Sequence, residues 1–298
     1  MADVTAPAEN RDSLNGFLFA LSAYLLWGFL PLYMKALAHI SPAEVIAHRI
    51  LWSIPVAGLL LIILKRTDEL KKAMRNPRML GMAAVTATLI SVNWGIYVWA
   101  IGTGHALDTA LGYFINPLFS ILLGAVILKE KLKKTQIAAL SLVVIAVVIL
   151  TVEAGRLPVV ALALTFSWGF YAFFRKTLPI GPNQGFLLEV LLLSPIALAY
   201  LVYLNLQGGG HFLMGNMTDT ILLASAGLVT AVPLILYANG AKLLRLSTIG
   251  IMQYIAPSMI FITAVFVFNE PFSVAKAVAF PLIWSALVIY TLPMLRQR

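Results

Sequence analysis

The sequence predicts an all-α polytopic membrane protein, with ten transmembrane helices arranged as two inverted five-helix repeats around a central cavity. Three observations lead to this prediction. The 298 residues are 61% hydrophobic and only 11% charged, whereas a soluble domain carries about 25% charged residues. Ten apolar segments are long enough to cross a bilayer. Finally, the two halves of the chain align with each other at an offset of about 140 residues.

Each of the ten apolar segments is close to the roughly 20 residues that span a bilayer. Only short polar connections separate them, the longest being 65–78 and 205–218. A polar stretch, 1–13, precedes the first segment, which is too long for the apolar core of a signal peptide and is therefore predicted to be a helix. The predicted segments are 14–37, 43–64, 79–100, 107–128, 134–152, 157–174, 184–204, 219–240, 247–268 and 274–294.

The basic residues predict the orientation of the chain. Seventeen of the 21 Lys and Arg residues fall on one side of a ten-segment arrangement, many of them in KRTDELKKAMRNPR and KEKLKK. Because basic connections stay on the cytoplasmic side, both termini are predicted to be cytoplasmic. The net charge of +9 follows from this topology, so no nucleic-acid partner is expected. The four basic residues that lie elsewhere are Lys35, Arg49, Arg156 and Lys276.

Several residues recur between the two halves. The aligned pairs are Pro42 with Pro182, Pro55 with Pro195, Tyr97 with Tyr237, Pro117 with Pro257, and Glu130 with Glu270. Because each half holds five segments, an odd number, the second half enters the membrane from the opposite side, as in many secondary transporters. The predicted organisation is a cytoplasmic tail at 1–13 and repeats at 14–152 and 157–294.

Polar and aromatic residues recur at helical spacing on one face of predicted segments 1, 3, 4, 8 and 9. Polar groups avoid lipid, so these faces are predicted to meet around a central cavity; for any one residue, ordinary packing between helices is the alternative. Segments 5 and 10 hold few polar residues and are predicted to face lipid outside the cavity. The predicted substrate-cavity residues are Tyr24, Trp27, Lys35, Arg49, Asn93, Tyr97, Tyr113, Asn116, Glu189, Tyr237, Gln253 and Tyr254.

Four prolines lie inside the predicted segments, where each removes a backbone hydrogen bond and favours a kink. Carbonyls left without a partner at membrane depth are tolerated only beside protein or a watery cavity. Kinked helices also have a place to bend during gating, although proline is common in membrane helices for other reasons. The predicted kink and gating residues are Pro31, Pro117, Pro233 and Pro257.

Arg49 is a charged residue placed roughly 10 Å into a hydrocarbon layer about 30 Å thick. A lone charge there costs at least about 2.5 kcal/mol. The residue 140 positions later is Glu189, so one interpretation is a direct or water-mediated salt bridge between the two. Structural hydrogen bonds to nearby carbonyls or hydroxyls, and direct contact with substrate, are the other two interpretations. For Glu130 and Glu270, we predict that each accepts hydrogen bonds from a neighbouring helix N-terminus.

Several strings together are similar to one transporter family. WGFLPLYMKAL, EVIAHRILWS, NWGIYVWA, LGYFINPLFSILLG and LSTIGIMQYIAPSMIFITAVFVFNEPF occur in order and resemble the RarD branch of the EamA group, in the drug/metabolite transporter superfamily. The resemblance covers residues 14–294. It implies a secondary carrier of the bacterial inner membrane, with ten helices, cytoplasmic termini and segments 5 and 10 outside the cavity. The small multidrug branch uses a glutamate in its first helix, which this chain lacks there.

Other function classes lack their motifs. The chain contains no cysteine and no GxxxxGK[ST], H-E-x-x-H or G-x-S-x-G string, so neither a pump nor an enzyme is expected, and no cofactor or metal. The prediction is a secondary transporter, in the exporting direction, that carries small amphipathic metabolites such as amino acids by alternating access. The alternatives are a chloramphenicol-type drug efflux permease and a passive channel. The expected partners are a small-molecule substrate and the lipid bilayer, and the expected functional unit is a monomer.

Overall fold

The computed structural model describes residues 13–127, 132, 134–177, 179–214, 216–244, 248 and 252–296. In this part of the chain all regular secondary structure is helical, and it comprises eleven helices. They are α1 (Leu14–Ala36), α2 (Pro42–Ile63), α3 (Thr67–Met74), α4 (Pro77–Gly102), α5 (Ala106–Ile127), α6 (Lys134–Ala154), α7 (Val159–Thr177), α8 (Pro182–Leu206), α9 (Met217–Lys242), α10 (Ile255–Ile262, continued by a π turn at Thr263–Val267) and α11 (Val274–Arg296).

Seven of these helices are long and apolar enough to cross a membrane within the described residues, namely α1, α2, α4, α5, α6, α8 and α9. The apolar parts of α7, α10 and α11 are shorter. Each of the ten predicted segments thus overlaps a helix, although residue 128 of segment 4 and residues 247 and 249–251 of segment 9 lie outside the described residues. The chain is a multi-pass membrane protein.

The short helix α3 was not predicted, because its region was expected to be a connection between membrane segments. It buries Leu70 and Ala73, which lie three residues apart and so share one face. Acidic residues occupy its first turn and Lys71 and Lys72 its last, an arrangement that complements the helix dipole. The helix packs against α4 and α8, so tertiary contact stabilises an element too short to form alone.

The helices run alternately up and down, so their connections form two ends of the bundle. We call one the His39 end; it holds the α1–α2, α4–α5, α6–α7, α8–α9 and α10–α11 connections. Contacts between connections define it: Ser273 Oγ lies 2.8 Å from Glu153 Oε2, and Lys276 Nζ lies 3.9 Å from Asp108. We call the other the Lys65 end, because it holds α3 and the basic segment that begins at Lys65.

Two contacts of α9 with neighbouring helices are close enough to require glycine. A Cβ atom on Gly227 of α9 would collide with the backbone of Trp52 in α2. A Cβ atom on Gly240, also in α9, would lie 2.8 Å from the backbone nitrogen of Ala20 in α1. Small residues at helix interfaces let membrane helices approach each other, so α9 is held tightly between α1 and α2.

Helices α6 and α11 pack against each other and contribute none of the described residues that line the central cavity. Val144, Val148 and Val152 of α6 are all exposed, and their spacing of four residues places them on one face. This position agrees with the prediction for segments 5 and 10.

Three of the four predicted kink prolines lie inside their helices: Pro31 in α1, Pro117 in α5 and Pro233 in α9. The prediction for Pro257 is wrong in one respect. A turn at Gln253 and the residue after it precedes α10, so Pro257 lies in the first turn of a helix that begins at Ile255. Backbone N–H groups in a first turn have no intrahelical partner, so this proline removes no hydrogen bond from the helix.

Candidate functional site

A cavity of about 150 Å³ lies between α1, α2, α4, α5, α7, α9 and α10. Nine of the twelve predicted substrate-cavity residues line it. These are Tyr24, Trp27, Arg49, Asn93, Tyr97, Tyr113, Asn116, Tyr237 and Gln253.

Arg49 is held on the cavity wall by groups from two other helices. Its side chain is 3% exposed, and its Nε donates a hydrogen bond of 2.9 Å to the hydroxyl of Thr230 in α9. The guanidinium carbon lies 4.7 Å from the ring centroid of Trp94 in α4, within the range of a cation–π contact. Of the three interpretations of Arg49, structural bonding to a hydroxyl therefore describes part of its role.

A polar network fixes another part of the cavity wall. The amide nitrogen of Asn93 donates to the carbonyl of Leu164 at 3.2 Å and to the hydroxyl of Ser167 at 2.9 Å, which joins α4 to α7. The hydroxyl of Tyr113 in α5 donates to the amide oxygen of the same asparagine at 3.2 Å. These bonds use the hydrogen-bonding groups of Asn93, so this residue acts as a support for Tyr113.

Aromatic rings cover much of the remaining wall. Tyr24, Trp27 and Tyr237 form a three-ring cluster between α1 and α9, with centroid separations of 5.5–5.9 Å. Tyr113 contacts both Tyr97 and Trp168, at 6.1 and 6.3 Å. Such walls suit the apolar or flat part of a ligand.

Three buried polar atoms that face this region have no hydrogen-bond partner among the described residues. They are Nη1 of Arg49, the hydroxyl of Tyr97 and the amide oxygen of Asn116. A buried polar group without a partner costs about 1–3 kcal/mol. Water or a ligand in the cavity can satisfy these two donors and one acceptor.

Three predicted substrate-cavity residues lie outside the cavity wall. Lys35 is exposed near the His39 end, with its Nζ 5.3 Å from the ring centroid of Phe268. Tyr254 is half-buried beside the wall, where it packs against the largest apolar cluster. Glu189 is buried elsewhere and belongs to a different ion pair.

The interpretation of Arg49 as the partner of Glu189 is wrong in its direct form. Glu189 Oε1 lies 3.3 Å from Nε of Arg175, and its Oε2 accepts a hydrogen bond of 3.3 Å from the hydroxyl of Tyr171. Both partners come from α7, one helix before the glutamate. Arg175 is 14% exposed and packs onto Gly185, so the charge of the glutamate is paired close to the Lys65 end and not at the cavity.

The sequence analysis missed several lining residues: Leu30, Trp94, Trp168, Ala256 and Ile260. For two of them the sequence contains a feature that could have indicated a position on the cavity wall. Trp168 aligns with Trp27 at an offset of 141 residues, one more than the offset of the other aligned pairs, and Trp94 follows Asn93. The aliphatic residues carried no signal, because they resemble lipid-facing residues of the same helices.

Glu270 caps a helix as predicted. Its two carboxylate oxygens accept hydrogen bonds of 2.7 and 2.8 Å from the backbone N–H groups of Ala106 and Leu107, at the start of α5. A negative charge at this position complements the helix dipole. The matching prediction for Glu130 lies outside the described residues.

Comparisons with known proteins identify relatives along almost the whole chain. The sequence model of the EamA-like transporter family matches residues 14–152. An uncharacterized transporter of Vibrio cholerae is 40% identical over 95% of this chain and 94% of its own length. Protein RarD of Escherichia coli is 37% identical over 95% of this chain and 96% of its own. A solved crystal structure superimposes with a TM-score of 0.62 over 95% of this chain and 99% of that one. The two sequences are 19% identical, so this similarity concerns the fold alone.

Proposed function

This chain belongs to the RarD branch of the EamA-like transporter family, in the drug/metabolite transporter superfamily, and we propose that it carries small amphipathic metabolites such as amino acids across the bacterial inner membrane. The proposed mechanism is alternating access, in the exporting direction. The observation that carries the substrate class is the buried guanidinium of Arg49, whose Nη1 has no partner among the described residues.

The charges around the cavity favour an anionic or zwitterionic ligand. Arg49 is the single ionisable Lys, Arg, Asp or Glu among the described lining residues. A guanidinium binds a carboxylate through charge-assisted hydrogen bonds, and the hydroxyl of Tyr97 offers a further donor. Asn116 supplies an acceptor, which suits an ammonium or hydroxyl group. The aromatic walls take the apolar part of the ligand.

The helix contacts support the inverted repeat. The proposed counterparts are α1 and α7, α2 and α8, α4 and α9, α5 and α10, and α6 and α11. Exchanging each helix for its counterpart turns the α1–α9 contact into α7–α4, the α2–α9 contact into α8–α4, and the α5–α7 contact into α10–α1, all of which occur. The α2–α8, α5–α10 and α6–α11 contacts map onto themselves. We therefore divide the chain into repeats at 14–152 and 157–294.

The distribution of buried apolar residues supports a conformation closed at the His39 end. The largest cluster joins both repeats there and includes Met34, Ile101, Leu107 and Leu223. At the Lys65 end the buried apolar residues separate into two clusters, one on α1 and α10 and the other mainly on α2, α3, α4 and α8. A bundle joined at one end and divided at the other is what a rocking mechanism requires.

The orientation follows from the basic residues. The Lys65 end carries the positively charged connections and is proposed to be cytoplasmic, with both termini. The conformation described above is then inward-facing.

A second candidate is drug efflux, which the aromatic walls favour because planar drugs stack on such surfaces. The two candidates differ in what they need from Arg49. A carboxylate substrate depends on the guanidinium, whereas a neutral planar drug depends on the rings.

A binding experiment separates the candidates. Apolar amino acids and their carboxamide analogues differ only in the carboxylate, so each pair can be compared by thermal shift on the purified full-length protein. We expect the acid to stabilise the parent and the amide to have little effect. Arg49→Gln should abolish this difference, and Lys35→Gln is the matched control because Lys35 lies outside the cavity. Equal stabilisation by acid and amide would favour the drug-type alternative.

A further inference from the structure

Two buried carboxylates at the His39 end are each bonded to a histidine. Glu44, in the first turn of α2, is 1% exposed; it accepts a hydrogen bond of 2.7 Å from the backbone N–H of His211 and lies 2.8 Å from Nδ1 of the same residue. Asp219, in the first turn of α9, lies 3.1 Å from Nε2 of His39. The two histidine side chains are 37% and 53% exposed, so water reaches both pairs.

The two pairs form one unit, because the rings of His39 and His211 are in edge contact with centroids 6.0 Å apart. We call these two histidines, together with Glu44 and Asp219, the histidine latch. His39 belongs to the α1–α2 connection and His211 to the α8–α9 connection. The latch therefore ties the start of α2 to the segment that leads into α9.

Other titratable groups lie nearby. His48, one turn after Glu44 in α2, is buried with both ring nitrogens lacking a partner among the described residues, and its ring centroid is 4.9 Å from that of Phe212. The hydroxyl of Tyr200 in α8 lies 3.3 Å from that of Ser41. Neither neighbour contributes a second fixed charge to the latch.

The opposite end of the bundle has an equivalent contact of different chemistry. The counterpart of Glu44 in the repeat is Gln184, at the start of α8. Its Nε2 donates a hydrogen bond of 2.6 Å to Oε2 of Glu69 in α3. In both places the start of one repeat's second helix is bonded to the connection that follows the second helix of the other. A neutral amide, 3% exposed, stands at the Lys65 end where the His39 end has a buried carboxylate and a histidine.

We propose that the histidine latch is a proton-binding site that holds the His39 end closed when its histidines are protonated and releases it when they lose their protons. This inference rests on the proposed alternating access, because the latch controls opening at one of the two ends of the bundle, the His39 end. Histidine is the side chain whose ordinary pKa lies within pH 5 to 8. A buried carboxylate needs a partner of opposite charge. When the histidines release their protons to water, Glu44 and Asp219 keep their charge and lose their cations, so exposure to water by opening becomes favourable.

Opening can be measured without substrate in this cysteine-free chain. Ile101 is fully buried in the apolar cluster at the His39 end, so Ile101→Cys reports opening through its reaction with a thiol reagent. The full-length protein is placed in nanodiscs, and each rate is divided by the rate for the denatured protein at the same pH. This ratio removes the pH dependence of the thiol itself.

The expected result is a ratio that rises about two- to fivefold between about pH 5.5 and about pH 8. The size of the rise is that expected for partly exposed ion pairs, and the pH interval is the one in which histidine changes its charge. The double variant His39→Gln/His211→Gln should show no rise. Glu44→Gln, which keeps an acceptor for the backbone N–H of His211, should lower the rise, because only the pair of His39 and Asp219 then remains; it serves if the double variant does not fold. His105→Gln is the matched control, since His105 lies at the same end but stacks on Trp99; its profile should match the parent.

A parent ratio that stays flat, a rise that persists in the double variant, or a rise in Glu44→Gln as large as in the parent would overturn the latch. The labelling needs no substrate, so the outcome is separate from that of the proposed function. If the latch responds as expected while no carboxylate ligand binds, the proposed substrate class alone is wrong.

Discussion

The Nε of Arg49 donates a hydrogen bond of 2.9 Å to the hydroxyl of Thr230, which donates in turn to the carbonyl of Ala226 at 2.7 Å. This chain of bonds joins α2 to α9 and fixes the plane of the guanidinium beside the ring of Trp94. One nitrogen is thereby used by the protein, and Nη1 is left without a partner among the described residues. A cation held in this way is preorganised for an anionic ligand.

Thr230→Val tests whether the hydrogen bond from Arg49 to Thr230 holds the guanidinium in place. The substitution keeps the shape of the side chain but removes the acceptor from a buried donor, which costs about 1–3 kcal/mol. We expect a lower melting temperature and weaker binding of a carboxylate ligand, measured on the purified protein. Thr88→Val is the control, because Thr88 is exposed and bonds only within its own helix. Equal melting temperatures for both variants would contradict a role for Thr230 in holding Arg49.

The ion pair of Glu189 predicts a strong coupling with Arg175. Arg175→Gln leaves the glutamate, 1% exposed, without its cation, and breaking a buried pair from one side costs about 3–5 kcal/mol. Arg175 retains some exposure, so the lower part of that range is expected. The double variant with Glu189→Gln should recover part of the loss, because no buried ion remains. Thermal denaturation of the four proteins in a double-mutant cycle gives the coupling energy.

The same cycle run on Arg49 and Glu189 is the matched comparison. The two residues share none of the described contacts, so their losses should add to within about 0.5 kcal/mol. A larger coupling would indicate a water-mediated interaction or a second conformation in which they approach. Coupling in the Arg49 pair that exceeds coupling in the Arg175 pair would contradict the assignment of Arg175 as partner.

Glu270→Gln should reduce stability more than ligand affinity. The carboxylate accepts two backbone hydrogen bonds at the start of α5, and an amide can replace only one acceptor and brings no charge. The free energy of unfolding is expected to fall by about 1–3 kcal/mol, because one backbone N–H loses its acceptor and the helix dipole loses its negative partner. The melting temperature and the ligand dissociation constant are measured on the same preparation. A large change in affinity with an unchanged melting temperature would show that this residue acts in transport.

The topology can be tested with single cysteines at Lys72 and Gly209, since the chain has none of its own. Lys72 lies in α3 at the Lys65 end, and Gly209 lies in the α8–α9 connection at the His39 end. In intact cells an impermeant thiol reagent should label position 209 and spare position 72. Both sites should react after the membrane is permeabilised. The reverse pattern would show that the basic end is outside.

The sequence predicted the apolar segments well because each spanning helix must be long and apolar by itself, whatever it packs against. A polar cap and a proline precede predicted segments 2 and 3, at Ser41-Pro42 and Asn76-Pro77, and the helices begin at these prolines, slightly before the predicted starts at 43 and 79. Helix α3 escaped prediction because its stability comes from burying Leu70 and Ala73 against distant helices.

The site was harder to predict than the helices. Polar residues at helical spacing located most of the cavity wall, since lipid excludes them. The repeat could not identify the hydrogen-bond partner of Arg49. Thr230 lies 181 residues after Arg49, whereas the repeat relates positions about 140 residues apart, and an uncharged threonine does not stand out as a partner for an arginine. The repeat relation pointed to Glu189, whose partner Arg175 is only one of many basic residues at the Lys65 end.

The most direct measurement of the central claim is counterflow exchange in liposomes that contain the purified protein. Liposomes preloaded with an apolar amino acid should accumulate the labelled form of it, saturably, at fixed proton gradients. Arg49→Gln should abolish this accumulation, and Lys35→Gln should leave it intact. Accumulation that does not depend on Arg49, or non-saturating flux that needs no counter-substrate, would contradict a carrier whose cavity binds a carboxylate.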